Sequence, residues 1–589
     1  MDHVKRLFDI PYYQLEKYPQ PDCFVDKREG RWVKTSTEEY LKQANLISQG
    51  LIELGVQHGD KIGLISTNNR SEWHIMDIGV QQVGAISVPV YPTISENDYR
   101  YIFNDAQIKL CFVSDQELFR KVNAVKNEVS SLQEIYSFEE VDGCKNWEEV
   151  KDLGDEKHSD EVNKRKAAIK EEDLVTLIYT SGTTGNPKGV MLSHLNLVSN
   201  AKACVPRLPV DENARSLSFL PICHVYERML IYLYQMTGVS VYFAESIDTI
   251  GDNLKEVKPE VFTAVPRLLE KVYDKIIAKG EELSGVKRKL FFWAVSLGEQ
   301  YTIPEKGGFY KFKLKIARKL IFSKWQEALG GRCKAVASGS AALSPRLARI
   351  YLAAGIPVME GYGLTETSPV ISVNCQKGDG VRIGTVGRVL ENLEVKIAED
   401  GEILVKGPSV MMGYYNQPEK TDEVLEKDGW FHTGDIGEFE EKEFLKITDR
   451  KKEMFKTSGG KYVAPQIMEN KFKESRFIEQ IMVVGEGEKH PAALIYPGID
   501  FIKEWAARKG YNIGMTADEI CQSQIVIDRI QKEVDRINQG FGHWAQVKKI
   551  ELIKDEMTVD GGELTPTLKL KRKVIKEKYK DLLEKIYRS

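Results

Sequence analysis

The densest chemistry in the chain lies in LVTLIYTSGTTGNPKGVMLSH (174–194). An apolar run, Leu174 to Tyr179, leads into a stretch holding Gly182, Gly185 and Gly189 and the hydroxyls of Thr180, Ser181, Thr183 and Thr184 around Lys188. Glycines let backbone N–H groups approach an anion closely, the hydroxyls add donors, and a lysine places positive charge where phosphate oxygens would sit. The run is not a GxxxxGK[ST] loop, since Gly189 follows Lys188 where that motif needs Ser or Thr. The bland alternative is a Gly/Ser/Thr surface turn, but so many donors directly after a buried strand favour an anion cradle. EGYGLTETSP (360–369) sets Tyr362 between Gly361 and Gly363, an aromatic face open on both sides and suited to a purine. In the same segment Thr365 is a phosphate donor, and Glu366 is the oxygen ligand that Mg²⁺ prefers. Asp435 in HTGDIG could accept both hydroxyls of a ribose, with Arg450 as a further donor. The plainer readings are a core tyrosine, a solvated glutamate, an Asx-turn and a surface ion pair. His224 follows Cys223, but sequence neighbours rarely have the geometry of a catalytic pair and no third orienting group is evident. LKLKRK (568–573) offers Lys569 and Lys571 on a stretch that otherwise reads as an exposed strand.

These residues need elements to hold them. Glu38 to Leu54 carries apolar residues at helical spacing and ends at Gly55, a natural stop signal. DKIGLIST (60–67), AISVPVY (85–91) and LCFVS (110–114) read as buried strands between helices, which predicts parallel α/β sheets. A helix is expected from near Ser193, and the charged stretch 139–172 reads as a surface connection. Residues 280–330 read as long, basic helices, and GTVGRVLENLEVKIAEDGEILVKGP (384–408) as a small antiparallel barrel or sheet. After Asp449 the composition turns Lys-rich.

Composition narrows the field. At roughly 150 residues per domain, the 589 residues imply more than one folded unit. Lys plus Arg at 83 against Asp plus Glu at 87 gives −4, which argues against a nucleic-acid partner. The eight cysteines form no CxxC pair and no zinc-ligand spacing, so neither a disulfide framework nor a structural zinc site is expected. No run behind the N-terminus has signal-peptide character, and no stretch is long and apolar enough to span a bilayer. A cytoplasmic enzyme in a reducing compartment is the expectation.

YTSGTTGNPKG closely resembles the phosphate-loop signature of the adenylate-forming acyl- and aryl-CoA synthetases. The family's other motifs follow in order: LPICHVYER (220–228), EGYGLTETSP, GWFHTGDIG (429–437), DRKKEMFKTSGGKYVAP (449–465) and ELTPTLKLKRK (563–573). The resemblance spans almost the whole chain. It implies a large α/β N-terminal domain of layered sheets at 1–449, with a β-barrel-like part at about 384–449. A small, mobile α+β domain would follow at 450–589. It assigns nucleotide binding to Thr180, Ser181, Gly182, Thr183, Thr184, Gly185, Lys188, Gly339, Ser340, Gly361, Tyr362, Gly363, Thr365, Asp435 and Arg450. Magnesium falls to Thr184 and Glu366. His224 lines the junction of carboxylate, phosphate and thiol, and Lys569 is the catalytic lysine. Thr567 and Leu568 replace the family's commoner Ser-Gly before that lysine, so Lys571 is the competing register. Lys452 is the implied hinge, and Gly459 and Gly460 line the thiol tunnel after rotation.

The reaction so implied joins a carboxylate to the α-phosphorus of Mg·ATP, releases pyrophosphate, and then lets coenzyme A displace AMP. KPEVFTAVPRLLEKVYDKI (258–276) and the insert after it look most like the long-chain fatty acyl-CoA synthetases. Transfer to a carrier-protein thiol, or a medium-chain or aryl acid, are the alternatives. Within FYKFKLKIARKLIFSKW (309–325), Phe309, Phe312, Ile316, Leu320 and Trp325 fall near helical spacing among basic residues. That face could lie on the inner surface of an anionic membrane, or pack on the core with its lysines solvated.

Overall fold

Leu174–Thr180 forms a strand in which five consecutive residues, Val175 to Tyr179, are buried together, and it runs through the interior of an eight-stranded sheet. The computed structural model describes residues 1–155, 158–180, 186–514, 516–558, 561–565 and 569–588. Ser181, Gly182, Thr183, Thr184 and Gly185 of the glycine-rich loop, and Thr567 and Leu568, lie outside the described residues.

The expected strands are present as Lys61–Ile65, Ile86–Pro89 and Ile108–Val113, all parallel, and Ile86–Pro89 lies beside Leu174–Thr180. The chain after the loop differs from expectation. Lys188–Ser193 returns as a strand antiparallel to Leu174–Thr180, with Lys188 opposite Thr180. The helix His194–Cys204 begins where expected, its N-terminus closed by the Ser193 hydroxyl, which accepts from the Asn196 N–H at 3.2 Å.

A 13-stranded sheet carries the rest of the larger body. Its parallel part includes Arg215–Ser218, Val261–Ala264, Ala335–Ser338 and Val358–Gly363. At Val358–Gly363 the pairing changes sign, and Val370–Val373 and the strands up to Phe444–Arg450 are antiparallel. The β-rich segment at 384–449 is thus an extension of the large sheet, not a separate small barrel or sheet. Alternation along those strands was legible, but it does not say which neighbour an edge will pair with.

Two further expectations change. Within 139–172 the chain forms helices Trp147–Asp152 and Ser159–Ala168, with Trp147, Val150 and Val162 buried. The first packs so closely on the helix Thr37–Glu53 that a Cβ on Gly50 would stand 1.8 Å from the Val150 carbonyl oxygen. High mean charge hid an Asn146/Glu149 capping box and two apolar residues one turn apart. In the basic insert, the helix Gly308–Ala317 passes through a π-helical turn, Arg318–Phe322, before Ser323–Ala328. The buried face of the first helix is Tyr310, Leu314 and Ala317, and the extra residue of the π turn brings Phe322 and Trp325 onto it. Phe309, Phe312 and Leu320 are left 72%, 61% and 46% exposed.

Two faces of the larger body meet at a buried ion pair. Arg228, on the helix Val225–Met236, donates to Asp77 at 2.7 Å and to the Thr176 hydroxyl at 2.8 Å. Asp77 also accepts from the Ser87 hydroxyl at 2.7 Å and from Tyr232. Residues after Met454 bury cores of their own, one around Phe472, Ile481, Ile495 and Ile530 and one around Met482, Leu494 and Ile575. They face the larger body through charge: Arg476 pairs with Glu281 at 3.4 Å, Arg508 with Glu281 at 2.9 Å, and Arg267 with Glu479.

Candidate active site

Sheet register assembles the first cluster. Asp435 and Arg450 are directly paired residues of the antiparallel strands Phe431–Glu440 and Phe444–Arg450, and Arg450 Nε donates to Asp435 Oδ1 at 3.0 Å. Tyr362, from the strand Val358–Gly363, donates its hydroxyl to Asp435 Oδ2 at 2.7 Å. Each carboxylate oxygen keeps a second lone pair, so Asp435 can still accept from a sugar while Tyr362 and Arg450 hold it. Tyr362 itself stays partly exposed. A Cβ on Gly363 would stand 1.8 Å from the Pro369 carbonyl oxygen, so that glycine serves a close backbone approach at a strand irregularity.

The second cluster joins the two sheets. Glu366 Oε1 accepts from the Tyr414 hydroxyl at 2.9 Å, and the Lys188 ammonium lies 4.4 Å from the Tyr414 ring centroid. Tyr414, on the short edge strand Gly413–Tyr414, escaped the sequence reading. GYY in MMGYYN carries no spacing that marks it, and only its pairing beside Lys188–Ser193 reveals it. Burial and then the charge of Lys452 lower the Lys188 pKa below the usual lysine value.

His224 caps the helix Val225–Met236, its Nδ1 accepting from the Tyr226 N–H at 3.2 Å. A ring nitrogen that accepts from a backbone N–H leaves the proton of the neutral imidazole on Nε2. Burial and the nearby Lys569 charge push the His224 pKa down to about 4, so it is neutral near pH 7. Cys223 is buried and its thiol is pushed up by burial, which removes the thiolate that a Cys–His nucleophile would need.

Two hydrogen bonds tie Lys569 to Thr565. Its N–H donates to the Thr565 hydroxyl at 3.0 Å, and its carbonyl accepts from the Thr565 N–H at 2.8 Å. Three residues on, Arg572 donates to the buried Glu469 at 2.6 Å and to the Val483 carbonyl at 3.2 Å, fixing this stretch to the sheet below. Surrounding protein and then the Arg450 charge lower the Lys569 pKa to about 8, against the opposing pull of Asp435, Glu453 and Glu366.

One cavity of about 2030 Å³ gathers these groups: Thr180, Lys188, His224, Gly339, Ser340, Gly361, Tyr362, Gly363, Thr365, Glu366, Asp435, Arg450, Lys452 and Lys569 all line it. Lys571 lines it as well, its N–H donating to the Glu563 carbonyl at 2.7 Å. Gly459 and Gly460 do not. They sit exposed in the turn between Phe455–Lys456 and Tyr462–Val463, away from the cavity wall. Lysines and arginines face Asp435 and Glu366 across a single space, an arrangement that can hold a polyanion and stabilise charge developing on it. Among the described residues no group of three or more His, Cys, Asp or Glu could cage a metal. Mg²⁺ bound to a triphosphate needs only one or two carboxylates besides phosphate oxygens and water. Glu366 fits that lesser demand.

The AMP-binding enzyme family matches residues 12–415, and the AMP-binding enzyme C-terminal domain matches residues 453–589. The chain is 34% identical over 576 residues to the long-chain-fatty-acid–CoA ligase FadD15 of Mycobacterium bovis, covering 96% of this chain and 95% of that protein. It is 31% identical to the long-chain-fatty-acid–CoA ligase 1 of Cavia porcellus, covering 100% of this chain and 87% of that one. Among solved structures, ATP-bound MatB from Rhodopseudomonas palustris superposes with a TM-score of 0.71 at 22% identity, covering 98% of this chain and 99% of that one.

Proposed function

The chain belongs to the AMP-binding enzyme family, and from that premise we propose that it is an AMP-forming long-chain fatty acid–CoA ligase. The observation that carries the reading is the convergence of Lys188, Glu366, Asp435, Arg450 and Lys569, from widely separated segments, on one cavity. A fatty carboxylate oxygen attacks the α-phosphorus of Mg·ATP, forming the acyl-adenylate as the bond to pyrophosphate breaks. The thiol sulfur of coenzyme A then attacks the acyl carbon, the bond to AMP breaks, and the thiol proton is lost to solvent.

No step needs a protein nucleophile. The protein supplies position and charge. Asp435 and Arg450 orient the ribose, Tyr362 lies along the adenine beside Gly339 and Ser340, and Lys188 with Thr365 faces the phosphates. The Nε2–H of His224 is a donor for the reacting carboxylate. Glu366, with Thr184, would hold the Mg²⁺ that arrives on ATP and offsets phosphate charge. Lys569 carries positive charge to the α-phosphate as the oxygens there gain charge. In the second half-reaction, residues 450–589 rotate about Lys452 and present Gly459 and Gly460 to the incoming thiol; a hinge residue need not be small.

Pyrophosphate release that depends on fatty acid, rises with chain length and turns over only with coenzyme A is the expected result. Formation of ADP and phosphate would overturn it. Burst release that stalls despite free coenzyme A would point to a carrier-protein acceptor.

Contact with an anionic membrane surface is part of the same reading. Among the described residues no helix is long and apolar enough to cross a bilayer. Phe309, Phe312 and Leu320 are exposed beside Lys311, Lys313, Lys315 and Lys319, the pairing of apolar and basic groups that lies on anionic lipid. The protein should co-sediment with anionic liposomes, and replacing Lys311, Lys313 and Lys315 with Glu should lower the bound fraction several-fold. Binding unaffected by those changes would reject the contact.

A further inference from the structure

Glu402 opens the strand Glu402–Lys406, which pairs with Phe431–Glu440. It lines the active-site cavity, yet only 4% of the residue is exposed. A carboxylate so deeply placed needs partners on both oxygens. Oε1 accepts from the Gly434 N–H at 2.9 Å. Oε2 accepts from the Lys451 ammonium at 2.8 Å, and His432 sets Nδ1 3.0 Å from the same oxygen. Burial opposes the charge, but Lys451, His432 and the Gly434 N–H outweigh it and hold the Glu402 pKa below the usual carboxylate value.

Gly434 and Lys451 adjoin groups that the ligase reaction uses. Gly434 immediately precedes Asp435, and its φ of +72° lies in the left-handed region. Its N–H goes to Glu402, and its carbonyl accepts from the Lys451 N–H at 2.9 Å. A glycine turn needs such fixing, because glycine reaches many other backbone conformations as readily. Lys451 immediately precedes Lys452, and its ammonium also pairs with Asp400 at 2.6 Å. One carboxylate thus joins the turn that carries Asp435 to the residue before the hinge.

We propose that Glu402 is a positioning residue with two arms: through Gly434 it sets Asp435 for the ribose, and through Lys451 it anchors the fixed end of the hinge. The proposal rests on the ligase reading and adds what holds the ribose turn in place. Ribose is common to ATP, AMP and acyl-adenylate, so loss of the first arm weakens all three and leaves the affinity for the fatty acid alone. Glutamine separates the arms. Its carbonyl oxygen still accepts from the Gly434 N–H, but its NH2 group cannot accept from Lys451 or His432.

The test measures AMP binding by calorimetry and palmitate-dependent pyrophosphate release, both on the full-length protein. Glu402→Ala should weaken AMP roughly ten-fold or more and raise the KM for ATP by a similar factor, with the KM for palmitate within about two-fold. Glu402→Gln should restore AMP affinity to within about three-fold of the unaltered protein. Like Lys451→Met, which keeps the backbone N–H, it should still lower acyl-CoA formation from supplied acyl-adenylate several-fold, because an unanchored hinge presents Gly459 and Gly460 less often. Unchanged AMP affinity in Glu402→Ala, no recovery in Glu402→Gln, or thioester formation at the unaltered rate in both Glu402→Gln and Lys451→Met overturns the proposal. AMP binding needs no acid. An unaltered protein that binds AMP but releases no pyrophosphate with palmitate therefore refutes the ligase reading alone, and the AMP comparison still decides Glu402. An unaltered protein that fails to bind AMP overturns both.

Discussion

Lys569→Ala should abolish adenylation while largely sparing thioester formation from supplied acyl-adenylate. Its ammonium lies among Arg450, Asp435 and Glu366 in the active-site cavity, where charge develops only as the α-phosphate is attacked. Removing one such preorganised donor costs roughly 10²–10³ in rate, or ~3 kcal/mol. Thioester formation breaks no phosphoric anhydride and needs no cation there. Fatty-acid-dependent pyrophosphate release reads the first half-reaction, and acyl-CoA formed from synthetic acyl-adenylate reads the second. Equal loss in both would overturn the assignment, and loss from Lys571→Ala instead would move the register by two residues. The same lysine sets a pH limb. Because the surrounding protein and Arg450 lower its pKa to about 8, the charged form dominates below that pH and is lost as pH rises through it. In kcat/KM for ATP, which reports the free enzyme, adenylation should fall above about pH 8. In kcat the limb should move upward, because bound triphosphate favours the charged lysine. Thioester formation should lack this limb.

Asp77→Ala should be among the most destabilising single changes in the protein. Arg228 has 0% of its side chain exposed and Asp77 1%, and the two meet at 2.7 Å. Burial opposes the charge of Arg228, yet Asp77 and Tyr232 outweigh it and raise the guanidinium pKa. Taking away the carboxylate leaves that cation in the core without a counter-charge, at a cost of about 3–5 kcal/mol. Set against a total stability of about 5–15 kcal/mol for a typical fold, this should lower the thermal midpoint and the urea midpoint together. Replacing both partners, as Asp77→Leu with Arg228→Met, removes the unpaired charge and should recover most of the loss. If the double variant is no more stable than Asp77→Ala, the pair is not the source of the effect.

The residue types that do chemistry were legible because each sits in a short segment whose neighbours serve it. Gly363 needs its glycine for an approach to Pro369 a few residues away, and Ser193 caps the helix it precedes. Strands and helices up to Val113 were equally local, since their period shows within a dozen residues. Elsewhere the pattern misled. The helix Gly308–Ala317 buries Tyr310, Leu314 and Ala317 and turns Phe309 and Phe312 outward, and periodicity alone does not say which of two apolar stripes meets the core. The capping box at Asn146 made helix out of a stretch read as surface connection.

Sequence by itself determined which groups are available to bind a nucleotide and in what order they come along the chain. Tertiary structure alone decided which of them share a space. Asp435 meets Tyr362 across 73 residues and Tyr414 meets Glu366 across 48, while Asp77 and Arg228 are 151 apart. It also decided that Gly459 and Gly460 stand outside the cavity, that His224 is neutral, and that the Lys569 pKa is lowered to about 8. The physical reason is that local propensity acts through bonds and a few turns of chain. Burial and electrostatics act through whatever the sheets bring within a few ångströms, and no motif encodes that distance.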